Sequence, residues 1–507
     1  MSTKHAETAT RFLADRAEEK WHDETLWMVR AKRDKMSRSL PEWEELREKA
    51  SQIKLYSNSH LADLLEEFER HATANGAIVH WAKDAEEHNA IVEQILQQHQ
   101  AKVMIKSKSM LTEECGMNAY LMEKGYDIIE SDLGERILQW MHKHPSHIVM
   151  PAIHIKRQEV GRMMEQVLGT EKGNADPTYL THAVRKDMRQ KFLTADVAMT
   201  GANFAVASTG EIVVCTNEGN ADMGTSFPKV HIATMGMEKI VPNQESLGIF
   251  VRLLARSGTG QPSTAYTAHY RKPMNGQEFH IIIVDHGRSD ILGNPEHFRT
   301  LNCIRCGQCM NTCPVYRRSG GYSYTYFIPG PIGINLGMLR DPKQYADNLS
   351  ACSLCLSCSN VCPAKVDLGE QIYRWRQQLD SLGKANPTKK LMSQGMKYLM
   401  SQDKLREVRS QRREEVNVKE DMAAITCSSG KTRISSWDNV KRHDDRSAER
   451  EVIEQSPTVV CENPFSISFE LSKLLLRDLF CIRLDFSHSV QICLIWLMAI
   501  LYQALFI

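Results

Sequence analysis

Two copies of one cysteine pattern constrain this chain of 507 residues more than any other feature. The first copy runs from Cys303 to Pro314 and the second from Cys352 to Pro363, and both have the spacing C-x2-C-x2-C-x3-C-P. These copies hold eight of the 14 cysteines, and the first 30 residues contain no apolar run of signal-peptide length. Clustered cysteines without a secretion signal indicate metal ligands in a reducing, cytoplasmic compartment rather than a disulfide framework.

The spacing is typical of the bacterial ferredoxin run that binds [4Fe–4S] clusters. Three thiolates at short intervals can wrap one face of a cluster, and the fourth then reaches the neighbouring cluster. We therefore predict two [4Fe–4S] clusters, one held by Cys303, Cys306, Cys309 and Cys362 and the other by Cys313, Cys352, Cys355 and Cys358. Zinc sites and incidental thiols are the alternatives, but zinc usually takes four ligands as two separated pairs.

Paired clusters of this kind pass one electron at a time, and thiolate ligation of every corner leaves no position for a substrate. The cysteine region is therefore expected to conduct electrons rather than to catalyse. The segment between Cys313 and Cys352 is too long for the compact βαβ ferredoxin. Its length favours an α-helical ferredoxin-type domain over residues 296–380.

Upstream of the cysteines, short apolar runs alternate with helical patterns. A helix face is indicated by the spacing of Leu61, Leu64, Leu65 and Phe68. Strands are indicated at 77–81, 103–105, 148–150, 204–207, 212–215, 230–233 and 280–284. This alternation predicts an α/β domain with a largely parallel, covered sheet over residues 60–295. Residues 1–59 are expected to be a helical arm that covers this domain.

Downstream of the cysteines the composition changes twice. Residues 381–445 are basic and polar, and their Lys and Arg alternate with Glu, which favours a solvated C-terminal helical segment over a nucleic-acid stripe. The net charge of +1 likewise gives no reason to expect a nucleic-acid partner. Residues 446–507 lack glycine and end in 18 residues without a charge. We expect an atypical tail, such as a shifted reading frame would produce, rather than a membrane anchor or a buried helix.

The combination of both halves resembles a known family. GANFAVASTGEIVVCTNEGNADM at Gly201–Met223, HIVMPAIH at His147–His154 and the paired motifs are similar to the lactate utilisation iron–sulfur protein family. The resemblance covers residues 1–445 and implies a lactate-utilisation domain, related in fold to sugar-phosphate isomerases and CoA transferases, before the ferredoxin-type domain. It also implies a cytoplasmic system that oxidises L-lactate to pyruvate. The implied partners are a cysteine-rich-domain protein and a second protein with a lactate-utilisation domain.

Catalytic candidates in the α/β region are weak. Glu211 could act as an acid/base or contact a substrate, although an exposed glutamate on a β-hairpin is the favoured explanation. His154 belongs to the segment that matches the family, but the histidines just before it are interrupted by Pro145, so we expect no metal site there. The polar loop 217–220 could bind an anion through backbone amides, with an ordinary connection as the alternative.

The leading prediction is an electron-transferring subunit of an L-lactate dehydrogenase system. The alternatives are a subunit for another 2-hydroxy acid or for a respiratory complex and, in another class, an iron–sulfur regulator or scaffold. A regulator would be expected to carry a DNA-binding helix pair, and the sequence has no such pattern. Because no flavin or nicotinamide motif is found, the chain alone is expected to relay electrons without oxidising lactate. Membrane contact through the tail is the less favoured alternative.

Overall fold

The computed structural model describes residues 4–274 and 276–379, together with residues 391, 392, 394, 395 and 397. The chain divides into two compact units, residues 1–384 and 385–507, and the description below concerns the first. Most of the predicted segment 381–445 and all of the predicted tail 446–507 lie outside the described residues. Within the described part, no helix combines the length and the apolar character needed to cross a bilayer.

Residues 4–59 are helical. They form α1 (Lys4–Ala14), α2 (Arg16–Arg38) and α3 (Trp43–Ser59), and α2 begins where the Asp15 side chain accepts from the amides of Ala17 and Glu18. This arm packs on both the α/β domain and the cysteine region. One example is His22, whose Nδ1 lies 2.7 Å from the carbonyl oxygen of Arg317.

The strands of the α/β domain are short. They are β1 (Ile78–Ala82), β2 (Val103–Lys106), β3 (Asp127–Glu130), β4 (Val197–Gly201), β5 (Phe204–Val206), β6 (Glu211–Thr216), β7 (Val230–Gly236), β8 (Ile240–Val241), β9 (Tyr266–Tyr270) and β10 (Glu278–Val284). In the described residues, a parallel six-stranded sheet has the order β1-β10-β7-β4-β2-β3. The predicted parallel sheet is confirmed, and β10 shows why: its residues from Phe279 to Val284 are all buried, which requires cover on both faces.

Helices cover both faces of this sheet. They are α4 (Leu61–Ala74), α5 (Ala85–Gln98), α6 (Met110–Glu114), α7 (Met117–Glu123), α8 (Leu133–Trp140), α9 (Arg157–Leu168), α10 (Pro177–Thr194), α11 (Asn220–Ser226), α12 (Gln244–Gly258) and α13 (Arg288–Leu292). The apolar positions of α5 pack on one face of β10, through Ile95 and Ile282. On the other face, Phe68 of α4 packs with Ile281 and Ile283.

A second sheet was not expected from the sequence. Its strand order is β8-β5-β6-β9, and β5 and β6 form an antiparallel hairpin. Gly210 in the turn has φ +68°, and a Cβ there would lie 2.3 Å from the backbone nitrogen of Ala72, so only glycine fits. The strand predicted at 148–150 is wrong, because those residues form an irregular segment that packs against the cysteine region.

The cysteine region is helical. Its helices are α14 (Gln308–Thr312), α15 (Pro314–Ser319), α16 (Gly330–Arg340), α17 (Pro342–Tyr345), α18 (Ser357–Val361) and α19 (Leu368–Gln378). Residues 296–379 are all described and include no strand, so the predicted α-helical ferredoxin-type domain is confirmed.

One apolar core joins the three regions. It includes Leu26 of the arm, Phe204 and Phe250 of the α/β domain, and Tyr316 and Trp375 of the cysteine region. Phe204 and Phe250 stack with ring centroids 5.3 Å apart. The expected boundary at residues 295 and 296 is therefore not a gap in packing, and the cysteine loops are held firmly against the α/β domain.

Candidate functional site

The two cysteine loops have the same backbone. Arg305 and Leu354, each two residues after the first cysteine of its copy, have φ of 59° and 54°. Gly307 and Leu356, each four residues after it, have φ of 76° and 60°. Left-handed φ at non-glycine residues costs about 1–3 kcal/mol and persists only where the surroundings impose it. The repeated strain indicates a loop shaped to turn its cysteines toward one point.

Two short helices set the position of the last cysteines. α14 and α18 each begin after the left-handed residue, carry the third cysteine in their first turn and end directly before the fourth. The two helices pack against each other. This packing brings the fourth cysteine of each copy to the loop of the other copy.

The first group consists of Cys303, Cys306, Cys309 and Cys362. Burial and then charge repulsion from Cys362 raise the pKa of Cys306 well above its usual value. Burial and then repulsion from Cys303 raise the pKa of Cys362 to about 11. A cavity between these residues is lined by all four thiols and by the aliphatic side chains of Ile148, Ile304, Ile332, Val366 and Leu368. Four thiols around an apolar cavity fit a thiolate-ligated cluster.

The second group consists of Cys313, Cys352, Cys355 and Cys358. Burial raises the pKa of both Cys313 and Cys358 to about 12, and neighbouring thiols of the group contribute to both shifts. Thiols with such pKa values stay protonated at neutral pH unless a metal centre replaces the proton, so cluster binding would release protons.

The two groups differ in burial. Three members of the first group, Cys306, Cys309 and Cys362, are buried, whereas Cys355 of the second group is exposed. Leu356, next to Cys355, is 47% exposed. The second group therefore reaches the protein surface at Cys355, although Cys313 and Cys358 are buried, and the first lies between the cysteine helices and the α/β domain.

A pocket of about 340 Å³ adjoins the first group. It opens where the parallel strands β2, β3, β4 and β7 end, which is the edge where open α/β sheets bind their ligands. Arg305 and Cys306 form its wall on the side of the cysteine region. The remaining lining is polar near the strand ends and apolar toward Met150 and Leu254.

A network of charges occupies the cluster end of this pocket. Arg288 donates from Nε to Glu238 at 2.5 Å and from Nη2 to Glu114 at 2.9 Å, and Arg305 Nη2 lies 3.8 Å from Glu238. Burial opposes ionisation of Glu238, but Arg288, Lys239 and Arg305 outweigh it and hold the pKa of Glu238 well below its usual value. Arg305 Nη1 remains buried without a hydrogen-bond partner.

The other end of the pocket contains Lys108. Its Nζ is buried without a hydrogen-bond partner and lies 3.9 Å from Glu135. Burial raises the pKa of Glu135 to about 8. Burial and the nearby charge of Asp132 raise the pKa of Glu218 to about 7. Partial protonation of these carboxyls leaves the Lys108 charge incompletely balanced at neutral pH.

The candidates from the sequence lie elsewhere. Glu211 is buried rather than exposed, accepts from Gln244 Nε2 at 3.1 Å and lies 3.2 Å from His269 Nδ1. His154 Nδ1 lies 2.5 Å from the Ser146 hydroxyl, and burial lowers its pKa to about 4. Neither Glu211 nor His154 is among the described residues that line the pocket, and their catalytic roles stay predictions.

The polar loop 217–220 does lie at the pocket, which Asn217, Glu218 and Asn220 line. Sequence reasoning missed the cationic lining residues Lys108, Lys239, Arg288 and Arg305. The first three could have been found from the sequence, because each follows the end of a predicted strand within a few residues. For Arg305 the sequence offered no such signal, since it lies between two cluster cysteines.

The fold and the cysteine groups define an α/β protein with a dicluster iron–sulfur domain. Residues 65–291 match the family model of the LUD domain, and residues 299–366 match that of the 4Fe-4S dicluster domain. The chain is 42% identical over 362 residues to the "Uncharacterized electron transport protein YkgF" of Escherichia coli (strain K12), covering 70% of this chain and 76% of that protein. It is 43% identical over 367 residues to "Lactate utilization protein B" of Bacillus pumilus (strain SAFR-032), covering 71% and 77%.

The chain therefore belongs to the family of lactate utilization protein B and YkgF. A solved structure, of a DUF162 family protein from Deinococcus radiodurans, aligns with 44% of this chain and 98% of that chain, at 15% identity and a TM-score of 0.25.

Proposed function

We propose that this chain is the iron–sulfur electron-transfer subunit of a multi-protein system that oxidises L-lactate to pyruvate. The observation that carries the proposal is the arrangement of the two cysteine groups, one beside a pocket lined by charged side chains of both signs and the other reaching the surface at Cys355. The names of the relatives, lactate utilization protein B and an electron transport protein, point in the same direction.

In this proposal the first cluster is held by Cys303, Cys306, Cys309 and Cys362 and the second by Cys313, Cys352, Cys355 and Cys358. When bound, each cluster accepts and passes one electron at a time. The chain's own backbone contributes hydrogen bonds to the sulfurs that would hold the clusters. Backbone amides of Arg305 and Leu354 donate to the Cys303 and Cys352 sulfurs at 3.4 and 3.3 Å, which stabilises negative charge on the thiolates.

The pocket beside the first group has buried donor atoms that favour a small carboxylate as its ligand. Arg305 Nη1 and Lys108 Nζ are buried donors without partners, and both residues line the pocket. Buried cationic donors of this kind are satisfied by an anion. L-Lactate and pyruvate carry a carboxylate, a 2-oxygen for the polar strand ends and a methyl group for the apolar wall.

The partners in this proposal are a cysteine-rich-domain protein and a second lactate-utilisation-domain protein, and the system is cytoplasmic, where its many free thiols stay reduced. Exposure of Cys355 and Leu356 favours electron exchange with a partner at the second group. A different 2-hydroxy acid remains the second candidate substrate, because the pocket is larger than lactate requires.

The experiment uses the full chain with its clusters reconstituted anaerobically. L-Lactate is added with and without the cysteine-rich partner, and cluster reduction is followed as bleaching of the visible absorbance. We expect bleaching only with the partner present, and slower bleaching with D-lactate or glycolate. Clusters that respond to dithionite but never to L-lactate, with both partners present, would contradict the proposal. Bleaching by the chain alone would instead show that its α/β domain is catalytic.

A further inference from the structure

Three potential metal ligands converge at the amino edge of the main sheet, opposite the pocket. His99 follows the last turn of α5, Glu278 is the first residue of β10, and His280 lies two residues further on. Glu278 and His280 share one face of β10 because side chains alternate along a strand. The face is the one on which α5 packs, and the ligand atoms of the three side chains lie within 4.8 Å of one another.

The distances fit a tetrahedral ion. His99 Nε2 lies 3.2 Å from Glu278 Oε2, and His280 Nε2 lies 3.4 Å from the same oxygen. Zinc binds histidine nitrogen and carboxylate oxygen at about 2.0–2.2 Å, and the edge of a tetrahedron is ~1.63 times its bond length, which gives about 3.3–3.6 Å between ligand atoms. The observed separations are close to this range before any ion is present.

His280 is buried and its ring is held in place by a second histidine. It is 3% exposed, and its buried Nε2 faces the Glu278 carboxylate at 3.4 Å without the geometry of a hydrogen bond. Its other nitrogen, Nδ1, lies 3.0 Å from Nε2 of His80, and the two rings stack with centroids 5.3 Å apart. A proton on His280 Nδ1, donated to His80, leaves the lone pair of Nε2 directed at Glu278 and His99. Metal-binding histidines are commonly oriented by such a second hydrogen bond.

We propose that His99, Glu278 and His280 bind a divalent transition-metal ion, with Zn²⁺ as the best match. Two imidazoles and one carboxylate are ligands that zinc prefers, and three protein ligands leave the fourth position to water. The side chains of His99 and Glu278 are 28% and 53% exposed, so an ion can enter from solvent. The site is separate from the cysteine groups, since Cys306 lines the pocket at the opposite edge of the sheet.

The bound ion connects the end of α5 to the start of β10. These two segments lie far apart in sequence, and His99 contacts both Glu278 and His280 where they meet. An ion that binds the folded chain stabilises it by mass action. The site is therefore structural, and it does not depend on the substrate of the pocket.

The test uses the full chain with both clusters reconstituted. Zn²⁺ is added, excess ion is removed by gel filtration, and zinc and iron are measured per chain. We expect one zinc beyond the cluster iron. Zinc-edge X-ray absorption should show a nitrogen and oxygen shell with imidazole scattering and no sulfur.

Variants then assign the ligands. His99→Gln and Glu278→Gln should keep their iron and lose zinc affinity by more than ~100-fold, while His80→Phe, which removes only the orienting hydrogen-bond partner, should lose ~10–100-fold. His182→Gln, at an exposed position of α10, is the matched control and should bind zinc as the parent does. Zinc bound equally by all variants, a sulfur shell in the absorption spectrum, or no zinc at micromolar concentration with full iron content would each overturn the proposal.

Discussion

Arg47 of the N-terminal arm donates from Nε to the backbone carbonyl of Cys362 at 3.0 Å. The same guanidinium donates from Nη2 to the carbonyl of Asn360 at 2.7 Å, and Arg33 donates to that of Val361 at 3.2 Å. The last cysteine of the second copy is thus held by arginines from the N-terminal arm. Positive charge at this position favours the more negative, reduced state of the neighbouring cluster.

We therefore expect Arg47→Gln to lower the reduction potential of the cluster held by Cys303, Cys306, Cys309 and Cys362, and to leave the other potential largely unchanged. Redox titration followed by electron paramagnetic resonance measures both potentials. Arg38→Gln, at an exposed position of the same arm, is the control. Equal shifts of both clusters would show that the effect of Arg47 is not local.

The exchange of fourth ligands can be tested by pairs of substitutions. The parent should hold about eight iron and eight sulfide. Cys306→Ser and Cys362→Ser should each lose the first cluster and leave the same residual resonance signal. Cys313→Ser and Cys355→Ser should leave the complementary signal. If Cys362→Ser instead left the signal of Cys355→Ser, each copy would hold its own cluster.

The pocket should bind pyruvate through Arg305 Nη1 and Lys108 Nζ, the buried donor atoms that have no hydrogen-bond partner. Lys108→Met and Arg305→Gln are each expected to weaken pyruvate binding at least ~10-fold, equivalent to about 1.4 kcal/mol. Calorimetry on the reconstituted chain measures this, with iron content checked because Arg305 lies in a cluster loop. Lys229→Met, an exposed lysine just before β7 at the opposite sheet edge, should change nothing. Propionate binding as tight as that of pyruvate would argue against recognition of the 2-oxygen.

Pyruvate binding should weaken as pH rises through neutrality. Burial, and then the charge of Asp132, raise the pKa of Glu218 to about 7, so this carboxyl loses its proton between about pH 6 and 8 and adds a negative charge to the pocket. Burial lowers the pKa of Lys239 to about 8, so its positive charge is lost over the upper part of the same range. Glu218→Gln should reduce the pH dependence of the dissociation constant without abolishing it. An unchanged pH profile in this variant would exclude Glu218 as a source of the pH dependence of pyruvate binding.

The shared core should make the two domains unfold together. Phe250 is fully buried and packs in the core that also contains the cysteine helices. Phe250→Ala should cost about 3–5 kcal/mol. Thermal scans by circular dichroism and by cluster absorbance should then shift down by the same amount, because both report one packed unit. A lower melting temperature in the cluster absorbance alone, with the circular dichroism transition unchanged, would indicate that the α/β domain is stable without the cysteine region.

Local patterns explain what could be predicted. The cysteine spacing determines which thiols lie on one loop, and the alternation of apolar runs with helical spacing determines a covered parallel sheet. Both patterns involve residues that are close together in the sequence, so they can be recognised without knowledge of the fold. The prediction of a strand at 148–150 was wrong because a buried, irregular segment can show the same run of three apolar residues. The run 204–207 is a strand, but its partners in a second sheet depend on packing that no local pattern records.

By itself, the sequence determined the cysteine motifs, the parallel α/β domain and the helical ferredoxin-type domain. Only the tertiary structure decided that Arg47 contacts Cys362, that Arg305 and Lys108 line one pocket, and that His99 meets Glu278 and His280. Arg47 is far from Cys362 in the chain, Lys108 from Arg305, and His99 from the neighbouring Glu278 and His280. Their meeting depends on how strands are ordered in the sheet and how helices pack on it, because burial of apolar surface is non-directional and leaves the polar positions to be set by the completed fold.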